Sequence, residues 1–246
     1  MIPKIIHYCW FGGAPLPPLA QKCIASWKKF LPDYEIKEWN ESNFDVSCCD
    51  YVEQAYQAKK WAFVSDFARF QILYNHGGLY FDVDVEVIRD LSKLIEIGAL
   101  MGLERVGHNK FMINPGLAMA SWAHLDAYKE IIEGYKNRTF MRQDGSLDTT
   151  TVVQYVTNIF NQYGFNSSLN KIQKINGITV YPTEYFCPKD FQTGKITVTE
   201  NTYTIHHYDG SWLTSRQKMK IQLRRLLGEK NWAFLRLCKT RLFKHV

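Results

Sequence analysis

Residues 61–87 read WAFVSDFARFQILYNHGGLYFDVDVEV, and the fold depends on how that string divides. Residues 64–74 space their apolar side chains along one face of a helix. Asp66 and Arg69 lie three apart on that helix, close enough to pair. Asn75-His76-Gly77-Gly78 stops it, with glycine supplying the left-handed cap. Tyr80-Phe81-Asp82-Val83-Asp84-Val85 then reads as a strand, in which Asp82 and Asp84 point the same way. Like charges that close repel, and one pKa rises unless a cation lies between them. A divalent metal bridging to a phosphate relieves this, because hard cations take carboxylate oxygens and keep places for substrate oxygens. Alone, Asp-Val-Asp is more often a solvent-facing edge strand. The helix and the Gly-Gly stop before it supply the context that changes those odds.

Outward from this unit the chain alternates strands and helices. Residues 2–11, IPKIIHYCWF, form a buried first strand that ends in Gly12-Gly13. A glycine turn at the carboxyl end of such a strand is where α/β sheets bind ligands. A helix over 19–30 and a strand over 34–39 follow, then a polar loop with a short helix to residue 56. Beyond the unit come a short helical piece at 91–95 and strands at 99–104 and 111–120. Helices at 122–135 and 149–163 flank a polar loop, 136–148, expected to move over the site. Short strands at 172–182 and 196–198 enclose a loop. Residues 203–210 read as a strand ending in a glycine turn. Alternation there puts His206 and His207 on opposite faces, so at most one faces a metal. The expected class is α/β, a Rossmann-like mixed sheet flanked by helices.

At 246 residues the chain suits one such domain, 1–214, with an appendage at 215–246. The net charge of +6 is uneven. From residue 216 onward Lys and Arg outnumber the lone acid, Glu229, while the rest of the chain is net acidic. The body is therefore no nucleic-acid footprint. The tail reads either as a basic amphipathic helix that docks on anionic lipid or as a terminal helix packed on the domain. The 6 cysteines lack metal-ligand spacing. The start lacks the basic and apolar regions of a signal peptide, and no apolar run reaches bilayer length. The expectation is a cytoplasmic protein with reduced thiols, peripheral on the inner face of the membrane if the tail docks on lipid. There is no Walker A loop, GxSxG elbow or GxGxxG run.

The helix, Gly-Gly, strand and Asp-x-Asp unit resembles the core of the DXD-containing sugar-binding-region glycosyltransferases. That family includes yeast chain-initiating mannosyltransferases and bacterial capsular polysaccharide enzymes, and the catalytic domains of large clostridial glucosylating toxins are similar to it. The IPKIIHYCWFGG opening and the run from His206 to Trp212 resemble it too. The resemblance implies a GT-A fold, a nucleotide-sugar donor, expected to be UDP-linked, a glycan or lipid-linked oligosaccharide acceptor, and Mn2+ or Mg2+. It implies that Trp10 stacks on the nucleotide base, against the alternative of a core tryptophan. Asp66 would hold sugar hydroxyls, and Arg69 the sugar and phosphate end. Asp82 would contact ribose or sugar, and the metal through water; Asp84 would ligate the metal. The third ligand falls on His207, with His206 as the fallback. Ser65, Tyr80, Asn114, Ser211 and Trp212 complete the donor set. Asn114 equally suits a turn. Asp144 and Asp148 lie near where the family approaches the sugar, without a local feature to mark them.

The resemblance also implies retention at the anomeric carbon. No acid stands out as a nucleophile for double displacement, so a same-face mechanism is expected. The implied role is bacterial surface polysaccharide synthesis. The rival readings are a metal-dependent phosphohydrolase or nucleotidyltransferase, and a binding module whose catalysis has decayed.

Overall fold

The computed structural model describes residues 1–210 together with 219, 220, 222, 223 and 225. Ser211, Trp212 and most of the basic tail therefore lie outside the described residues. Strands β1 (Ile5–Cys9), β2 (Glu35–Trp39) and β3 (Gly78–Tyr80) run parallel. β3 pairs antiparallel with β7 (Met119–Ser121), which pairs with β5 (Leu100–Gly107). β5 carries β6 (Lys110–Asn114) on its side and continues through β9 (Ile178–Tyr181) to β8 (Gln173–Ile175). A separate two-stranded sheet joins β4 (Val85–Val87) to β10 (Thr204–His206). The expected mixed α/β sheet is thus present.

Helices cover both faces. On one, α2 (Asp50–Gln57), α3 (Trp61–His76), α5 (Asp126–Lys136) and α6 (Val152–Gln162) bury a large aromatic core. On the other, α1 (Pro18–Phe30), α4 (Ser92–Ile97) and α7 (Thr183–Phe186) bury a second core. Among the described residues no helix is long and apolar enough to cross a membrane. The predicted 111–120 strand is instead β6 and β7, because Asn114-Pro115-Gly116 turns the chain between them. Loop 136–148 is stapled to the body. Asp148 N–H donates to the Phe140 carbonyl at 2.7 Å, and Met141 N–H to Gln54 Oε1 at 2.8 Å.

The start of β3 is set by His7 of β1. Its ring is buried, accepting at Nδ1 from the Trp39 indole and donating from Nε2 to the Gly77 carbonyl, both at 3.0 Å. Gly78 has φ +101°, and a Cβ there would meet the Ile5 carbonyl at 2.7 Å and His7 Nε2 at 3.0 Å. Only glycine lets β3 approach β1 this closely. Both ring nitrogens of His7 are used in the neutral form. Burial, aided by His76 and Lys37 and opposed by the Gly77 bond, lowers its pKa from 6.5 to about 4.

That shift gives a pH prediction. A lowered folded pKa means that the unfolded chain takes the proton first as pH falls. The stability is complete above 6.5 and drains as pH falls toward about 4. At about pH 5 the loss is about 2 kcal/mol. Urea unfolding at neutral pH and at about pH 5 should show wild type losing that much more than His7→Gln. Equal losses would dismiss the role.

Candidate functional site

β1 and β3 are in register at Ile6–Leu79 and His7–Tyr80, so their carboxyl ends leave the sheet at one edge. Trp10 follows β1 there, and the Asp-Val-Asp run follows β3. Trp10 is half-buried, its backbone N–H bonded to the Trp39 carbonyl and its indole N–H to the Ala14 carbonyl.

The Asp-Val-Asp run is not a strand. Phe81 N–H makes the last bond to β1, reaching the His7 carbonyl at 3.2 Å. Asp82 N–H goes to the Gly116 carbonyl at 3.0 Å, and Val85 N–H folds back on the Asp82 carbonyl at 3.0 Å. The chain turns and resumes as β4, which α1 holds by two bonds: Trp27 Nε1 donates to the Val85 carbonyl at 2.7 Å, and Ser26 Oγ accepts from Val87 N–H at 2.9 Å. The expected same-face pair of acids is therefore corrected: the two sit on a turn and serve different partners.

Asp82 belongs to an ion network on α3. Arg69 Nη2 lies 2.8 Å from Asp66 Oδ1 and 3.2 Å from Asp82 Oδ1, its guanidinium 5.0 Å from the Tyr80 ring centre. Tyr80 donates its hydroxyl to Asp82 Oδ1 at 3.1 Å. Arg69 is 3% exposed and Asp66 9%, so the i,i+3 pair is a buried one. Burial pushes Asp66 up to about 6 against the pull of Arg69. Ser65 supports the arginine through its carbonyl, 3.1 Å from Nε, while its hydroxyl caps the Trp61 carbonyl at 3.1 Å.

Asp84 faces the small sheet. His206 Nε2 lies 3.3 Å from its Oδ1, and Asp209 N–H donates to its Oδ2 at 2.8 Å. Burial opposes ionisation of Asp84, but His206 and the Asp209 N–H outweigh it and hold the carboxyl at about 2. His206 is the reciprocal case: burial pulls its pKa down, and Asp84 lifts it well above the ordinary value. His207, the expected third ligand, faces away. Its Nε2 lies 2.7 Å from Glu86 Oε2, which also takes Lys22 at 2.9 Å. The imidazole beside Asp84 is the fallback, His206. Strand β10 pairs His206 with Val85, and only the tertiary register selects which histidine faces the turn.

Asn114 is 6% exposed, and its side chain meets protein at both ends: Nδ2 donates to Glu104, and Oδ1 accepts from Gly116 N–H at 2.8 Å. Asp148 is taken by Arg138 at 2.7 Å and Arg142 at 3.4 Å, and Asp144 caps Ser146 on the surface. Neither loop acid joins the cluster. Glu104 had no signal in the sequence, and Gly116 was visible only as part of the Asn-Pro-Gly turn. A Cβ at Gly116 would lie 2.0 Å from Asp82 Oδ2 and 3.1 Å from Arg69 Nη1. Gly116→Ala should therefore swing the Asp82 carboxylate away and reduce kcat by about 100-fold, the scale of a 1 Å misplacement. Activity within threefold of wild type, with an unchanged melt, would discount that steric reading.

Residues 17–99 match the family model of the glycosyltransferase sugar-binding region containing the DXD motif. The chain is 25% identical over 232 residues to uncharacterized glycosyltransferase L373 of Acanthamoeba polyphaga mimivirus, covering 90% of this chain and 88% of that one. These matches mark the chain as a glycosyltransferase. This glycosyltransferase is also 32% identical over 105 residues to inositol phosphoceramide mannosyltransferase 3 of Schizosaccharomyces pombe, covering 40% of itself but 28% of that relative. Its fold matches the solved PaToxG glycosyltransferase at TM-score 0.50 and 18% identity, over 65% of this chain and 69% of that one. The GT-A expectation therefore holds. The family match takes in α1 through α4, with Asp66, Arg69, Asp82 and Asp84, and stops before Asn114 and His206.

No three His, Cys, Asp or Glu side chains form a ready-made metal cage among the described residues. The glycosyltransferase does present a carboxylate oxygen of Asp84 against an imidazole nitrogen of His206, with Asp82 on the same turn. Those donors suit a divalent ion whose remaining ligands are phosphate oxygens. The positive charge that Asp84 draws from His206 is the kind such an ion supplies.

Proposed function

We propose that this glycosyltransferase is metal-dependent and retaining, moving a sugar from a nucleoside diphosphate to a glycan or lipid-linked oligosaccharide. The observation that carries the reading is the Asp82–Asp84 turn at the shared carboxyl edge of β1 and β3. It places the Arg69–Asp66–Asp82 network on one side and the Asp84–His206 pair on the other. Asp84 and His206 would hold Mn2+ or Mg2+, with Asp82 beside them. When bound, the ion supplies charge stabilisation to the departing diphosphate. Arg69 stays fixed by two carboxylates and orients Asp82, while Asp66 offers an acceptor to sugar hydroxyls. Trp10 provides an aromatic face for the base. Ser211 and Trp212 remain expectations for the phosphate end. The sequence marks no acid as the nucleophile of a double displacement, so a same-face displacement is preferred. A covalent glycosyl-enzyme seen by intact mass spectrometry would reverse that choice.

The S. pombe relative is named for transfer to a lipid, inositol phosphoceramide, which favours a lipid-borne acceptor and a surface-glycan role. The cytoplasmic setting and contact of residues 215–246 with anionic membrane are part of the same proposal.

The test is hydrolysis of UDP-glucose, UDP-galactose, UDP-N-acetylglucosamine and GDP-mannose, with manganese present or chelated. Metal-dependent release of nucleoside diphosphate from at least one is expected. Release that ignores chelation, or attack on simple phosphate esters instead, would favour the phosphohydrolase reading. Thermal shift gives a second arm: Mn2+ with UDP or GDP should stabilise the protein more than either alone. Trp10→Ala should raise the donor KM about tenfold with kcat little changed, the scale of a lost aromatic stack. A collapse of the fold instead would make Trp10 a core residue.

A further inference from the structure

We propose that Glu104 is a positioning residue for sugar transfer: through the Asn114 amide it holds the 114–117 turn that sets Asp82. The inference deepens the donor site proposed above and rests on it. β5 and β6 pair with Gly102 opposite Asn114, which makes Glu104 the diagonal neighbour of Asn114 on the same face of the hairpin. The Asn114 Nδ2 group donates to Glu104 Oε2. The other end of the amide accepts from Gly116 N–H at 2.8 Å. The assignment of the two ends follows from chemistry. A carboxylate needs a donor and a backbone N–H needs an acceptor, so the amide fits only one way round.

The chain of bonds then continues. The Gly116 carbonyl accepts Asp82 N–H at 3.0 Å, and Leu117 N–H closes on the Asn114 carbonyl at 3.4 Å. Gly116 has no room for a Cβ because Asp82 Oδ2 lies against it. Every link from Glu104 to Asp82 is thus a hydrogen bond or a direct contact. Tyr80, at the end of β3 just before Asp82, pairs with Met119 beyond the 114–117 turn. Asn114 therefore acts as the middle of a relay rather than as a group aimed at donor. The carboxylate of Glu104 selects its rotamer.

The role makes a specific demand on substitutions. Glutamine keeps an acceptor oxygen for Asn114 Nδ2, so Glu104→Gln should stay within about threefold of wild type. Glu104→Ala leaves the amide free to turn and should lower kcat by roughly 10- to 100-fold, the scale of lost outer support at a reacting group. Donor KM should move less than threefold. Asn114→Ala should show the same kcat loss, and the double variant Glu104→Ala/Asn114→Ala should be no worse than the poorer single one. These are measured with manganese and the nucleotide-sugar of the panel that wild type hydrolyses fastest.

Equal loss in Glu104→Gln and Glu104→Ala would overturn the proposal and make the charge itself the requirement. Wild-type activity in Glu104→Ala, or additive losses in the double variant, would also overturn it. If wild type hydrolyses none of the panel, the functional reading fails and the relay is judged by crystallography. Glu104→Ala should then show a rotated Asn114 amide and a displaced Asp82, with Glu104→Gln unchanged. An undisturbed Asp82 in both ends the proposal.

Discussion

Asp84→Asn is expected to cut metal-dependent donor turnover by at least about 1,000-fold while the protein stays folded. The size follows from the several kcal/mol that a bound divalent ion contributes to a departing diphosphate, at roughly tenfold per 1.4 kcal/mol. The fold should survive because the asparagine oxygen can still accept Asp209 N–H, which reaches Asp84 Oδ2 at 2.8 Å. What disappears is the charge that faces His206 at 3.3 Å. His207→Ala is the matched control. It faces Glu86, so its turnover should remain within a few fold of wild type. The measurement is nucleotide release with and without chelator, beside a thermal melt of each variant. Turnover of Asp84→Asn within tenfold of wild type would remove the metal assignment.

Arg69→Met carries the largest expected loss of stability, about 3 kcal/mol. Arg69 is the buried cation between Asp66 and Asp82, at 2.8 Å and 3.2 Å. Removing it strands the buried Asp66 carboxylate and takes a partner from the more exposed Asp82. Burial already pushes Asp66 up to about 6, so it can take up a proton, which keeps the loss near the low end for a broken buried pair. In a chain of this length that loss lowers the melting midpoint by roughly 10 °C. Adding Asp66→Asn should restore part of it by removing one of the uncompensated charges. A midpoint within about 2 °C of wild type would show that the network does not hold the site together.

Much of the centre was legible because its signals are local. Apolar spacing gave α3, glycine chemistry gave its end, and a three-residue separation put Asp66 beside Arg69. The Asp-Val-Asp run was visible, but its conformation was misread. Alternating acids fit a strand only if the ladder continues, and here the Asp82 N–H is taken by Gly116, over thirty positions later. The histidines show the same limit. Alternation states that His206 and His207 face opposite ways, not which way the site lies. Asp148 reads in the sequence as an unmarked loop acid, and in the structure Arg138 and Arg142 occupy it. Glu104 carried no motif at all, and Gly116 only that of a turn.

By itself the sequence determined most of the helices and strands, their order and the chemical types gathered around residues 61–87, while the expected strand at 196–198 is only an isolated bridge at Ile196. Those depend on interactions within a few residues, where spacing dictates which side chains share a face. Tertiary structure alone decided that the acids sit on a turn, that His206 is the imidazole beside Asp84, and that Asn114 answers to Glu104. Each of these depends on strand register and on donors brought from distant parts of the chain, and hydrogen bonds between such parts leave no trace in local spacing.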